Sequence, residues 1–431
     1  MDLILTAHKM RIYPNDEQIQ IIETTFGAAR RMFNSLHAQF EERSKMSTVE
    51  RENHIYKNYT ALKNEWDNEN NWLENVASQA LANVSLNYNK AWSNYKKNKK
   101  HYKIPTFKSK HRARKSYSLN RNSVKNDIYI SKDNEKLLKV PKLGFVRLSQ
   151  KIRYKDYDLK KVTISKSSTN KYYISILVEI DKKSINHKGL KTKSNEKVGL
   201  DLGLIDYIVD SNGNKVSNPK HLKKFEAKLA KEQKILSRRY EQAKKDGRNL
   251  SESKNYQKQK LKVAKIHEKI RNIRHDFLHK LTNAITNESQ VIIAESLNVK
   301  GMVKNKKLAK HISDASWGTF TSHLEYKSER KGRTFVQIDT FFPSSKMCSN
   351  CKEVHELTND LSVREWQCPT CNSIHDRDVN AAINILNEGL TLIWSTNTGP
   401  VYPVELGQFI PSREYYPGIS NERIYSVMNK C

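Results

Sequence analysis

The stretch "CPTCNSIHDRDVNAAINIL" at residues 368–386 holds two kinds of chemistry in close succession. Cys368 and Cys371 have the spacing of a metal knuckle. Asp376, Arg377 and Asp378 follow at once and open a helix rich in small and apolar residues. A second pair, Cys348 and Cys351, lies upstream, with sixteen residues between the pairs. Two such knuckles complete a tetrahedral Cys₄ site for one Zn²⁺. A closed Cys₄ shell leaves no position for water, so the ion is structural. Its binding free energy, on the order of 10 kcal/mol, would fold a short segment that has little core of its own. His355 and His375 could serve as ligands, but the four cysteines already fill the shell. Cys431 has no partner and reads as a bystander.

Working outward, isolated carboxylates recur in apolar settings. In "VGLDLG" (198–203), Val198, Leu200 and Leu202 point one way, and Gly199, Asp201 and Gly203 the other. A carboxylate on such a strand is costly unless something pairs with it. Glu295 ends the apolar strand "VIIAE", and either Asp376 or Asp378 supplies a third acid at a helix start. A strand Asp, a strand-end Glu and a helix-start Asp form a hard-oxygen site for two Mg²⁺. Such a pair sits about 3.5–4 Å apart and serves phosphodiester hydrolysis. GxxxxGK[ST], GxSxG and HExxH are all absent, so ATP-driven, serine-hydrolase and zincin chemistry are poorly served.

The 431 residues carry 77 Lys+Arg against 46 Asp+Glu, a net charge of +31. That excess fits a polyanion partner, most simply nucleic acid. The plainer alternative is a basic ribosome-associated protein. No apolar run reaches membrane-span length, and the N-terminus does not read as a secretory signal. Few cysteines, paired as CxxC, favour a reducing compartment. The expectation is a cytoplasmic, nucleoid-associated protein with no membrane partner.

Residues 3–13 read as a strand ended by Pro14, and Asn15 with Gln18 as a capping box. Apolar residues at Ile19, Ile22, Phe26, Ala29, Phe33, Leu36 and Phe40 then mark a helix, with Arg30, Arg31 and Asn34 off the stripe. A further helix is expected at 72–95, giving a helical bundle over 14–95. Residues 96–115 hold ten Lys/Arg with Tyr102 and Phe107 interleaved, the composition of a phosphate-tracking loop. Short alternating strands over 116–181 suggest a small β-barrel or sandwich that the strand at 3–13 joins. Residues 182–196 read as a linker. Strands at 197–216, a basic helical hairpin over 219–285, a strand at 290–296, a helix at 313–330 and a strand at "TFVQIDT" then give an α/β layered domain.

These motifs together resemble the TnpB (OrfB) proteins of bacterial insertion sequences, compact relatives of type V CRISPR effectors. The resemblance rests on "KMRIYPNDEQ", "PTFKSK", "VGLDLG", "ESLNVKGM", "FFPSSKMCSNC" and "CPTC…HDRDVNAAINIL", in that order over residues 1 to about 390. It implies a multidomain α+β and α/β fold. A wedge β-barrel (1–13 and 96–181) holds an inserted helical recognition domain (14–95). A RuvC (RNase H-like) nuclease domain follows (197–340), with a zinc ribbon (341–374) inserted before its last helix (375–390). The tail, 391–431, matches nothing and is expected to be disordered.

The resemblance also implies RNA-guided cleavage of double-stranded DNA. The guide RNA comes from the transposon end, one protein serves each RNA, and a short target-adjacent motif is read. Carried over by motif, the acids are Asp201, Glu295 and Asp378. The local reading agrees: Asp378 is placed to N-cap "VNAAINIL", with Asp376 as runner-up. Lys9, Arg11, Arg30, Lys103, Phe107, Lys108, Lys110 and Arg377 are expected to face nucleic acid, and Gln79 and Asn83 to offer base-edge contacts. The alternatives are a nuclease-dead RNA-guided repressor, which would be expected to lose acids of the triad, and an RNase H-like transposase. Where relatives often have Gly after each CxxC, Lys352 and Asn372 stand here.

Overall fold

Strand alternation and helical stripes fix most of the architecture. The computed structural model describes residues 3–395, apart from 55, 71, 123, 125, 126, 155, 182–195, 359 and 361. The expected linker (except Glu196), the tail beyond Ser395 and Cys431 lie outside the described residues. The chain divides into two units, 1–185 and 186–431.

The first unit is built on β1 (Leu3–Tyr13), in which Thr6, Met10 and Ile12 are buried while Leu5, Ala7, Lys9 and Arg11 are exposed. The capping box forms. The Asn15 side chain accepts from the Gln18 N–H at 2.8 Å, and the Gln18 side chain accepts from the Asn15 N–H at 3.1 Å. Gln18 also donates its side-chain amide to the Leu143 and Phe145 carbonyls, tying the start of α1 (Asp16–Lys45) to the sheet. Ile22, Phe26, Ala29, Phe33 and Leu36 are buried as their spacing requires, but Phe40 remains 36% exposed.

Two short helices, α2 (Thr48–Asn53) and α3 (Tyr59–Asn70), precede α4 (Ser78–Lys97). The helix expected from 72 thus begins six residues later. Leu73 and Val76 reach the core from the preceding turn, so apolar spacing did not reveal the turn.

Six further strands follow: β2 (Ser116–Asn120), β3 (Tyr129–Ile130), β4 (Leu137–Val140), β5 (Gly144–Leu148), β6 (Asp158–Lys166) and β7 (Tyr172–Asp181). They join β1 in one antiparallel sheet of order β2-β6-β7-β1-β5-β4-β3. The chain-initial strand therefore sits at the centre. It pairs with β7 from Leu3–Asp181 to Ile12–Tyr172, across all the intervening helices.

The second unit opens with β8 (Lys197–Leu202), β9 (Asp206–Asp210) and β10 (Lys215–Ser217). Helices α5 (His221–Lys245) and α6 (Lys254–Glu288) form the hairpin. Then come β11 (Val291–Glu295), α7 (Val299–Met302), α8 (Ala309–Ala315), α9 (Trp317–Lys331), β12 (Thr334–Ile338), β13 (Glu365–Gln367), β14 (Ile374–Asp376) and α10 (Arg377–Ser395). The main sheet has the order β10-β9-β8-β11-β12, antiparallel from β10 to β8 and parallel from β8 to β12. The helix expected over 313–330 is two helices, broken where Ser316 takes a left-handed φ of 55°.

On one face of this sheet, Val198, Leu200 and Leu202 pack with Phe277 and Leu281 of α6 and with Phe320 and Leu324 of α9. On the other lies α10. A Cβ at Gly199 would fall 2.1 Å from the Ala382 carbonyl oxygen and 2.7 Å from the Leu386 nitrogen. One at Gly389 would fall 2.3 Å from the Ile293 side chain. Helix and strands therefore meet almost backbone to backbone. The helix runs to Ser395, past the boundary expected at 390, because Leu390 and Leu392 still pack near Ile293, Ile338 and Ile385. Among the described residues no helix is long and apolar enough to cross a membrane.

Gly199→Ala would push α10 off β8. The expected loss is about 2–3 kcal/mol, the upper range for overpacking a tight contact. Chemical denaturation checks it, and an unchanged midpoint would show that the helix is not seated as described.

Candidate active site

The face of β8 that meets α10 carries Asp201, flanked by the two glycines. Leu200 pairs in parallel with Ala294 of β11, so the next residues, Asp201 and Glu295, lie side by side on the same face. Glu295 accepts a hydrogen bond from the Leu202 N–H at 3.0 Å. Both acids are only partly accessible. Burial raises the Asp201 pKa well above the usual carboxylate range, and the charges of Glu295 and Asp378 push it further; Arg377 and Arg364 oppose the rise. Burial also lifts Glu295 to about 7, against the hydrogen bond from Leu202.

The first turn of α10 assigns different tasks to the two aspartates, and here the local capping argument needs correction. Asp376 is the cap: its Oδ1 accepts from the N–H groups of Asp378 and Val379, both at 3.0 Å. Its other oxygen accepts from Lys215 Nζ at 2.6 Å. Burial works to raise its pKa, but the Lys215 ammonium and the two backbone donors bring it below the usual range. The helix starts at Arg377, two residues earlier than a cap at Asp378 implies, so Asp378 lies inside the first turn. There its charge is felt at Asp201, and it accepts from Arg364 Nη1 at 3.0 Å.

The neighbouring carboxylates add to the cost of charging the buried Asp201, an electrostatic problem that a divalent cation solves. The donor set of hard oxygens suits Mg²⁺.

The cysteines also converge. The four Sγ atoms lie within 4.8 Å of one another. The Cys348–Cys371 and Cys351–Cys368 pairs are each 3.6 Å apart. An ion ~2.3 Å from four tetrahedral sulfurs separates them by ~3.8 Å, so the residues fit zinc. The Lys352 and Asn372 N–H groups close the knuckles onto the Cys348 and Cys368 carbonyls with φ of 68° and 58°, the backbone that glycine would take most readily. His375 Nε2 approaches Cys348 Sγ at 3.1 Å and His355 Nε2 approaches Cys368 Sγ at 3.4 Å, so both rings sit as outer supports of the shell.

Two residues not singled out in the sequence join this centre to the helix. Asn380 donates to the Met347 carbonyl at 2.8 Å and accepts from the Ser349 N–H at 2.8 Å. Asn384 donates to the Ser344 and Met347 carbonyls. Both are buried. The available signal was a pair of amides one turn apart on an otherwise apolar face. Arg364, the partner of Asp378, had no comparable signal.

The expected nucleic-acid contacts divide. Lys9 and Arg11 are exposed on β1, the first over Tyr173 and the second over Tyr13, with Arg147 on the same Tyr13 ring. Lys103, Phe107, Lys108 and Lys110 lie on an exposed loop, and Phe107 is 67% accessible. Asn34 donates to the Lys108 carbonyl and accepts from the Lys108 N–H, so it anchors the loop. The Lys108 ammonium lies over Phe33. Arg30 is half-buried, and Arg31 stacks on Trp66.

Two expectations fail. Asn83 is buried, its amide donating to the Gln79 and Ser118 carbonyls, so it straps α4 to β2 and cannot read a base. Arg377 is buried beside the carboxylates and does not face solvent. Gln79 is half-buried in a cleft with Asn122, Asp127 and Lys142.

The raised carboxyls have a measurable consequence. A carboxyl with an elevated folded pKa supports the fold below its unfolded value, and that support is lost as pH rises through the folded value. For Glu295 the window runs from 4.5 to about 7. Metal-free Glu295→Gln, which can still accept from Leu202, should match the wild type near pH 4.5. At pH 8 it should be the more stable by on the order of 1–3 kcal/mol. Thermal denaturation in a chelator across this range checks the sign, and a variant less stable at pH 8 would contradict it.

Three family descriptions match the chain. OrfB of IS605, described as "Probable transposase", covers residues 175–306. A Cas12f1-like TNB domain covers 317–385, and the OrfB helix-turn-helix domain covers 1–46. A protein of Streptomyces pristinaespiralis named "Putative RNA-guided DNA endonuclease" is 34% identical over 395 residues, 90% of each chain. InsQ of Escherichia coli K12, named in the same way, is 28% identical over 405 residues, 89% of this chain and 92% of its own. Among solved structures, a Cas12f1–sgRNA–target DNA complex aligns over 89% of this chain and 99% of its own, at TM-score 0.49 and 13% identity, too distant to carry weight. Identity at this level along nearly the whole length of both chains has one consequence: the chain belongs to the OrfB/IS605 family of TnpB-like proteins.

Proposed function

We propose that this protein is an RNA-guided endonuclease of an insertion sequence, cutting double-stranded DNA by phosphodiester hydrolysis at Asp201, Glu295 and Asp378. The observation that carries the reading is the juxtaposition of Asp201 and Glu295 on adjacent parallel strands, within the field of Asp378. Family membership supplies the guide-dependent context. The order β10-β9-β8-β11-β12 supports a RuvC-type, RNase H-like nuclease domain, and the fit of the four cysteines supports a zinc ribbon joined to its last helix. The seven-stranded sheet corresponds to the wedge, and α1–α4 to the recognition domain.

Two Mg²⁺ ions held by these carboxylates would activate a water and stabilise the leaving oxygen of the scissile phosphodiester. The chain itself does the rest. The Leu202 N–H fixes Glu295. The Asp376 cap and its Lys215 partner fix the turn that presents Asp378. Arg364 pairs with Asp378 and orients it, and Arg377 moderates the negative charge from within.

Guide RNA from the transposon end would pair with the target strand, one protein to each RNA, while the protein reads backbone shape and a short adjacent motif. The Lys9–Arg11–Tyr13–Tyr173 surface and the Phe107 loop offer charge for phosphates and rings for stacking. Such work belongs in a bacterial cytoplasm, at the nucleoid.

The test has two parts. Sequencing of the RNA that co-purifies should return one species with a variable 3′ end; bulk ribosomal RNA would contradict the guide model. With that RNA, Asp201→Ala and Asp378→Asn should lower Mg²⁺-dependent cleavage of a matched plasmid at least a thousandfold while guided binding survives. Asp376→Asn keeps the cap and should retain cleavage. Undiminished cutting by Asp201→Ala would overturn the site, and guided binding without cutting by the wild type would favour the repressor reading.

A further inference from the structure

On the face of the nuclease sheet away from α10, three imidazoles meet. His275 and His279 stand one turn apart on α6, and His323 faces them from α9. Each offers a ring nitrogen, and these three atoms lie within 4.8 Å of one another. The triad is remote in sequence from the cysteines and is no part of the carboxylate site. His323 is 9% exposed, and its Nδ1 is buried with no hydrogen-bond partner. A buried ring nitrogen without a partner costs free energy that a ligand at the site would recover.

We propose that His275, His279 and His323 form a second transition-metal site, taking Zn²⁺ or a similar borderline divalent ion with one coordination position left open. Two histidines at i and i+4 on one helix face already share a direction, and a third from a packed neighbour completes a three-nitrogen set. Imidazole donors select such ions over Mg²⁺, which prefers oxygen. A tetrahedral ion ~2.0–2.1 Å from each nitrogen needs them ~3.4 Å apart, so the rings must close in slightly.

His279 and His323 stack with centroids 4.1 Å apart and planes 19° from parallel, so one must tilt to aim its lone pair at the common point. His275 and His279 are exposed and have room to do so. Lys327, one turn after His323, donates to the His279 carbonyl at 2.7 Å and the Thr282 hydroxyl at 2.8 Å. That anchoring holds α9 to α6 at the same place.

The position gives the ion a role. Helix α6 runs into β11, which ends in Glu295, and α9 runs into β12 beside it. An ion bridging the two helices would clamp the layer that supports the catalytic strand.

Zinc per chain decides the matter. The full-length protein is equilibrated with excess ZnCl₂, desalted and analysed for metal by mass spectrometry, with unfolding temperature as a second readout. The wild type should retain two ions per chain, one at the cysteines. His275→Ala and His279→Ala change exposed side chains and should fold normally, retain one ion, and lose the rise in unfolding temperature that the second equivalent gives the wild type. A wild type holding one ion, or either variant still holding two, would overturn the proposal.

Discussion

The near-contact of backbones at Gly199 is the constraint on which the nuclease unit depends. With no Cβ on that strand residue, α10 settles until Ala382 and Leu386 rest against β8, and Gly389 admits Ile293 in the same way further along. This seating brings the first turn of α10 to the end of the sheet where Asp201 and Glu295 emerge. A helix even one methyl group further out would carry Asp378 away from them. The cysteine centre acts on the same helix from the other side, through Asn380 and Asn384, which bind the loop of the first knuckle. Metal ligands, helix and carboxylate are thus parts of one rigid assembly, which accounts for their crowding in nineteen consecutive residues.

The electrostatics follow from that assembly. Burial raises both Asp201 and Glu295, and the charges of Glu295 and Asp378 raise Asp201 further, while Asp376, two residues before Asp378, is held charged by Lys215 and two backbone donors. One aspartate is consumed by structure and the other kept for a ligand. This is the stability cost commonly met at functional sites, where charge is gathered before its counter-ion arrives.

Much of this was legible in the sequence. The capping box at Asn15 and Gln18 has a fixed local geometry, and it forms as read. The alternation of β7 gave its buried face, because a strand repeats every two residues: Tyr172, Ile174, Ile176, Val178 and Ile180 all point inward. The CxxC spacing gave the convergence of the cysteines, since short knuckles have few conformations. What was not legible depends on contacts between distant residues. Asn83 looked like an exposed polar residue because nothing local records the Ser118 carbonyl that it meets. Arg377 looked solvent-facing for the same reason. The cap fell to Asp376 because β14 delivers the chain in an extended state up to that residue, and helix propensity cannot see a strand pairing. The break at Ser316 lies in a continuous apolar pattern, which carries no mark of a left-handed residue.

The central claim is that Asp201, Glu295 and Asp378 jointly hold divalent metal. Anomalous diffraction from crystals of the protein soaked in Mn²⁺ tests it most directly. The account predicts two peaks among these three carboxylates, about 3.5–4 Å apart, with Asp376 still bound to Lys215. Peaks ligated by Asp376 in place of Asp378, or no peak beside Asp201, would contradict it.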